Sequence, residues 1–264
     1  MPLKIGILGY GKLGSAIASG LISRKFDAQI HAYDKHAVIP PNIKIERNEI
    51  ELLKSSDLLI IAIKPQDIGN LLAFIAPEMA KLKPFPMVIS VAAGIPISFY
   101  EGKLGSGIKL MRVMPNIAAI CGESASAYAV NGNVNEKDAP LIESILKCIG
   151  KCWRVDEKDM DAITALSASG PAYFFKLAEA MAQAGVKEGL EPTIAKQLAI
   201  QTLIGSAALL KSSGESPSEL REKVTSPNGT THAALKELQE GGFDGLVASA
   251  VHAARARSAE LSKG

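Results

Sequence analysis

Gly9-Tyr10-Gly11-Lys12-Leu13-Gly14 is a GxGxxG string that follows an apolar, β-rich run, Leu3–Leu8, and opens a helical pattern at Lys12. That context gives each glycine a task. The first permits a tight turn, the second lets the backbone approach a pyrophosphate, and the third allows close packing of helix on strand. Unpaired N–H groups at the helix start then face the anion with the favourable end of the helix dipole. Asp34, twenty residues after Gly14, ends the second candidate strand, where a carboxylate can accept hydrogen bonds from an adenosine ribose. Such a carboxylate favours NAD, yet Lys35 and His36 follow at once and could pair with a 2′-phosphate. Either NADH or NADPH is compatible with these residues.

Ala62-Ile63-Lys64-Pro65 and Val91-Ala92-Ala93-Gly94 fall where the fourth and fifth strands should end. In open α/β sheets ligands bind outside the carboxyl ends of the strands, and small residues there leave room for a dinucleotide. Lys64 taken alone reads equally well as a solvated loop charge. Farther along stand Ser167-Ala168-Ser169-Gly170-Pro171-Ala172-Tyr173 and Val224-Thr225-Ser226-Pro227-Asn228-Gly229-Thr230-Thr231-His232. Ser-Pro-Asn-Gly is turn chemistry, and Thr230 and Thr231 then open a helix, which gathers hydroxyls and N–H groups at one point. The point suits a small carboxylate; an ordinary helix N-cap is the competing reading.

The elements that must position these residues change character along the chain. The first half alternates short apolar runs with helical patterns, which predicts βαβ units and a mostly parallel sheet. Strands are expected at Leu3–Leu8, Gln29–Tyr33, Ile43–Glu46, Leu58–Ile63, Met87–Val91 and Lys109–Met114, with Ala125–Val130 and Lys151–Val155 extending one edge. Helices are expected at Lys12–Arg24, Gln66–Ala80 and Glu136–Cys148, with shorter ones at Ile50–Lys54 and Ile97–Gly102. After Asp156 the strand-like runs vanish. Helical spacing predicts Met160–Gly185, Glu191–Ser212, Pro217–Lys223, Thr230–Glu240 and Phe243–Leu261. The fold class is therefore α/β, an N-terminal Rossmann-type doubly wound sheet over residues 1–156 followed by an all-α C-terminal domain over 157–264.

At 264 residues, 47% hydrophobic and 21% charged, the chain is large enough for two cores and far from disordered compositions. A net charge of +2, with no basic cluster interleaved with aromatics, argues for a small-molecule partner rather than nucleic acid or a membrane surface. Three cysteines, Cys121, Cys148 and Cys152, make neither a disulfide set nor a CxxC pair, and no metal site is expected. No segment is expected to reach the roughly 18 apolar residues of a membrane span. Without a basic leader or cleavage site after Met1, the expectation is a cytoplasmic protein. Ala-rich helices around Ala195–Ala208 and Ala248–Ala256 carry more apolar surface than one small bundle can bury, which predicts a homodimer or higher homo-oligomer.

Taken in order, the GxGxxG, Ile63-Lys64-Pro65-Gln66, Arg112-Val113-Met114-Pro115-Asn116, Ser167–Tyr173 and Val224–Thr231 resemble the motif set of pyrroline-5-carboxylate reductases. The likeness extends through Gly241-Gly242-Phe243 and covers essentially the whole chain. Ala168 and Asn228 depart from the family's SGSGPAY and SPGGTT, and Asn tolerates the left-handed conformation a glycine would supply. The resemblance implies that Leu8, Gly9, Tyr10, Gly11, Lys12, Leu13, Asp34, Asn48, Ala62, Ile63, Lys64, Pro65, Val91, Ala92, Ala93 and Asn116 line the cofactor. It implies that Glu157, Ser226, Asn228, Gly229, Thr230 and Thr231 hold the substrate. The implied reaction is hydride transfer to the C=N carbon of a cyclic imino acid, giving L-proline as the last step of its biosynthesis, with Thr231 the catalytic candidate at the imine nitrogen. His31, His36, His232 and His252 read as structural or solvated. Two rivals stand beside this reading: a β-hydroxyacid dehydrogenase, which needs a base for the hydroxyl proton, and a non-catalytic dinucleotide-binding protein.

Overall fold

The computed structural model describes residues 2–261; the expected domain limits at residues 1 and 264 lie outside them. The chain divides into two compact units, residues 1–169 with 254–264, and residues 170–253.

The first unit is built on strands β1 (Leu3–Leu8), β2 (Ala28–Tyr33), β3 (Lys44–Ile45), β4 (Leu58–Ile61), β5 (Met87–Ser90), β6 (Leu110–Met114), β7 (Ser124–Val130) and β8 (Gly150–Arg154). They form one sheet in the order β3-β2-β1-β4-β5-β6-β7-β8, parallel except where β6 meets β7. Helices α1 (Lys12–Ser23), α2 (Glu49–Lys54), α3 (Pro65–Met79), α4 (Ile97–Leu104) and α5 (Ala139–Lys147) cover it. The central strands read as unbroken apolar runs because both of their faces are buried. Alternate residues feed opposite cores. Ile5, Ile7, Leu58, Ile60, Met111 and Val113 join Ile17 and Leu21 of α1 and Ile142 of α5 on one face. Leu59, Ile61, Val88 and Leu110 join Ile68 and Leu72 of α3 and Tyr100 of α4 on the other. Parallel pairing of β1 with β2 and β4, with Leu8 opposite Tyr33 and Ile61, delivers the carboxyl ends of these strands side by side.

Most boundaries agree with the sequence to within a few residues. β3 shrinks to two residues, and the helix expected from Glu136 begins at Ala139, directly after Asp138, whose carboxylate pairs with Lys109. The helix expected over 160–185 is interrupted: α6 (Met160–Ile163) runs into a π-helical turn, Thr164–Ala168, before α7 (Gly170–Lys187). In that turn the Ser169 N–H donates to the Thr164 carbonyl, a bond that skips one residue more than an α-helix allows. Two short 3-10 turns, Ile117–Cys121 and Glu157–Asp159, were not expected. The compact units part at 169/170 rather than at the change of texture near 156, because Met160 and Ala165 are buried in the first unit. Residues 254–261 also return to that unit, where Ser258 donates to Asp161.

The second unit contains α7, α8 (Pro192–Ser213), α9 (Pro217–Lys223), α10 (Thr230–Glu240) and the first part of α11 (Phe243–Leu261). A capping box opens α9: the Ser216 hydroxyl accepts from the Glu219 N–H while the Glu219 carboxylate accepts from Ser216. Large apolar side chains stay uncovered, among them Phe174, Phe175, Leu198, Ile204 and Leu246. By length and composition alone α8, with a mean hydropathy of 1.2, is apolar enough to cross a membrane, although it holds no unbroken run of about 18 apolar residues. Polar residues such as Lys196, Gln197 and Gln201 kept it from registering as a continuous apolar run.

Candidate functional site

In the turn between β1 and α1 the backbone requires two of the three glycines, Gly9 and Gly14. Gly9 takes φ +95°, and its N–H donates to the Tyr33 carbonyl at 2.9 Å. A Cβ on Gly14 would lie 2.0 Å from the Gly9 carbonyl oxygen, so only hydrogen fits between helix and turn. Gly11 is different, since a Cβ there would meet nothing within 4 Å. It faces open space. Gly11 is also the N-cap of α1, with no side-chain cap and no acidic residue in the first turn, so no side chain of the helix's own first turn competes for its N–H groups.

This turn forms one wall of a cleft of about 750 Å³, a size typical of sites for small ligands and cofactors. Leu8, Gly9, Gly11, Asp34, Ala62, Ile63 and Lys64 line it as the sequence indicated. Lys35 and His36 line it too. The Ala62 N–H donates to the Leu8 carbonyl at 2.8 Å, holding the β4 loop against the glycine turn. Sequence reasoning missed Asp67, Asn70, Leu71 and Phe74, which also face the cleft. Their spacing of i, i+3, i+4 and i+7 is one face of α3, a signal that was available once the helix was placed after Pro65. Glu49 and Tyr33 were missed as well.

Asp34 is tightly engaged. One carboxylate oxygen accepts from the Tyr10 N–H at 2.6 Å, the other from the N–H groups of His36 at 2.7 Å and Ala37 at 2.8 Å. Burial by itself would raise its pKa, but these backbone donors outweigh that and hold it below the ordinary aspartate value. The carboxylate thus ties the glycine turn to the β2 loop while fully charged. Next to it, Lys35 Nζ lies 3.4 Å from Glu49 Oε1. Tyr10, Lys12, Leu13 and Pro65 are not on the cleft lining. Asn48 is the N-cap of α2, its Oδ1 accepting from the Glu51 N–H at 2.9 Å.

At the ends of β5 and β6 a second polar cluster is buried. Ser90 and Tyr100 share a hydrogen bond, and the Ser90 hydroxyl also accepts from the Ala92 N–H at 3.3 Å. Burial pushes the Tyr100 phenol up to about 12. Val91 and Ala92 are buried beside it, outside the cleft lining. Arg112 is 4% exposed, and its Nη1 donates to Glu157 at 3.2 Å, while Nε and Nη2 have no hydrogen-bond partner among the described residues. The same Glu157 oxygen accepts from the Ile97 N–H at 2.7 Å. Asn116 spans two segments: its Oδ1 accepts from the Ala118 N–H and its amide donates to the Ser167 carbonyl at 3.0 Å.

In the second unit, Ser226, Asn228, Gly229, Thr230 and Thr231 form the turn that opens α10. Asn228 has φ +60°, the left-handed conformation that glycine would adopt most freely. A Cβ on Gly229 would lie 2.3 Å from the Ser226 hydroxyl and 3.1 Å from its carbonyl oxygen, so a larger residue there would require the serine side chain to turn away. Gly229 is the N-cap, with no side-chain cap. Thr231, half-buried in the first turn of the helix, is therefore not spent as a cap.

A sheet in 3-2-1-4-5-6 order, an open glycine turn at its switch point and an uncapped helix N-terminus facing a cleft define a Rossmann-type dinucleotide-binding protein. The glycine cradle fits such a group, since the one position without close neighbours is the one a pyrophosphate must approach. Comparison with known proteins narrows the class. The family described as pyrroline-5-carboxylate reductase dimerisation matches residues 157–261, and that described as NADP oxidoreductase, coenzyme F420-dependent, matches residues 4–94. Pyrroline-5-carboxylate reductase of Methanosarcina acetivorans is 39% identical over 98% of both chains. That of Pseudomonas aeruginosa is 38% identical over 98% of this chain and 97% of its own. A Plasmodium falciparum pyrroline carboxylate reductase solved with NADP bound superposes with a TM-score of 0.89 at 32% identity, over 98% of each chain. The chain belongs to the pyrroline-5-carboxylate reductase family.

Proposed function

We propose that this chain reduces 1-pyrroline-5-carboxylate to L-proline with NADPH or NADH. The observation that carries the proposal is the Gly11 opening onto a cleft at the sheet's switch point, in a chain matched along its whole length by this family. When bound, the reduced nicotinamide supplies the hydride for the C=N carbon. The glycine turn, with Leu8, Lys12 and Leu13 beside it, holds the pyrophosphate against the N-terminus of α1. Asp34, with Asn48 at the start of α2, shapes the adenosine end. Ala62 to Pro65 and Val91 to Ala93 lie at strand ends, and Asn116 borders the nicotinamide side.

Ser226, Asn228, Gly229, Thr230 and Thr231 receive the substrate carboxylate through N–H and hydroxyl donors at the head of α10. The Thr231 hydroxyl hydrogen-bonds the imine nitrogen, and water supplies the proton. A protonated imine is already electrophilic, so orientation contributes most of the catalysis, up to about 7–11 kcal/mol in model reactions. Glu157 supports the strand-end loops of the first unit through Arg112 and Ile97. The uncovered apolar helices beyond residue 160 support a homodimer or larger ring, and the net charge of +2 supports a small-molecule partner rather than nucleic acid or a membrane surface. Three free cysteines support a cytoplasmic setting.

Parallel absorbance assays with NADH and NADPH and pyrroline-5-carboxylate test the proposal. Oxidation of either cofactor only when the imino acid is present is expected. Turnover of hydroxy acids instead would favour a β-hydroxyacid dehydrogenase, and binding without turnover a dinucleotide sensor.

A further inference from the structure

The geometry points to Glu49, acting with Lys35, as the residue pair that sets the preference between NADH and NADPH, a reading that rests on the proposed reductase function. A dinucleotide in this cleft places its adenosine ribose at the end of β2, where Asp34 stands. Asp34 is committed to three backbone N–H groups, so its carboxylate is a fixed strut of the turn and loop. The adjustable charges lie one step farther out. Lys35 is two-thirds exposed at its side chain and free to swing, and Glu49 Oε1 is 3.4 Å from its amine. Glu49 is only 13% exposed at its side chain and is held at the first position of α2.

An exposed lysine in so open a pair is weakly held and exchanges partners readily. A 2′-phosphate is the natural competitor for it, because a dianion beside Lys35 replaces one carboxylate by a stronger acceptor. The phosphate must then also stand near Glu49, which cannot move away. Glu49 therefore works against NADPH twice, by holding Lys35 and by presenting a like charge. NADH, with a neutral 2′-hydroxyl, meets neither penalty.

Dissociation constants of NADH and NADPH, read by nucleotide fluorescence on the whole protein at low and high salt, test the assignment. Glu49→Gln is expected to shift the ratio of the two constants toward NADPH by about five- to tenfold at low salt, from the loss of one near charge. Lys35→Met is expected to shift it the opposite way, and both shifts should shrink in high salt. Equal changes for the two nucleotides, or none in either variant, would overturn the assignment while leaving the reductase reading intact. Failure of the unaltered protein to bind either nucleotide would instead remove the reading on which it rests.

Discussion

Glu157→Ala separates support from substrate contact, because Glu157 is the ion-pair partner of a cation that the sheet buries. Arg112 is 4% exposed and already has two N–H-bearing nitrogens without partners, so losing the bond to Nη1 leaves the guanidinium with none among the described residues. Breaking a fully buried pair by removing one partner costs about 3–5 kcal/mol. Glu157 is a third exposed at its side chain, so water can enter behind the truncated residue and the cost falls below that range, to about 2–3 kcal/mol. The Ile97 N–H loses its acceptor as well, adding about 1 kcal/mol. For a chain of this size each kcal/mol lowers Tm by about 2–4 °C, so thermal denaturation should show a fall of roughly 6–16 °C. Adding Arg112→Met should recover part of that loss, because the buried charge is then gone. A fall under about 2 °C, or a double variant less stable than Glu157→Ala alone, would refute the reasoning. Glu157 would then belong to the substrate site in its own right, with kcat/KM rather than Tm as the affected quantity.

Other outcomes follow from the same geometry. Gly11→Ala should fold with stability within about 0.5 kcal/mol of the parent yet raise the NADH and NADPH dissociation constants, whereas Gly14→Ala, whose Cβ meets a backbone oxygen, should lower Tm through about 1–3 kcal/mol of strain. Loss of binding in Gly14→Ala alone, with Gly11→Ala unaffected in both measurements, would contradict the cradle. Thr231→Ala should cut kcat/KM by the equivalent of about 1–3 kcal/mol, and since Gly229 is the N-cap, Tm should hardly move; a lowered Tm with intact kinetics would show a capping role. Asp34 has a folded pKa below its unfolded one, so its stabilisation is fully present above the unfolded value and is lost as pH falls through the folded value. Melting curves from pH 5 to pH 3 should accordingly drop more steeply for the parent than for Asp34→Asn, and parallel curves would remove that contribution.

Sequence by itself determined the order and type of nearly every element, since strands buried on both faces must be apolar throughout and helices must repeat near 3.6. It also determined the glycine turn, where Gly9 and Gly14 answer backbone constraints local to a dozen positions, and the turn at Ser226–Thr231, where Asn228 takes the left-handed conformation its side chain tolerates. Asp34 was legible as an acid at the end of β2, but its three N–H partners come from either side of the cleft wall and only folding brings Tyr10 to it. Asp67, Asn70 and Phe74 share one face of α3, a period the sequence carried, but that this face, with Glu49 of α2, lines the cleft is decided only when the strands and helices converge. The pairing of Arg112 with Glu157 spans 45 positions and no local pattern encodes it. The π-helical turn at Thr164–Ala168 and the return of residues 254–261 to the first unit are likewise products of packing. Periodicity records which face a residue buries; which distant residue it meets there is decided by the tertiary fold.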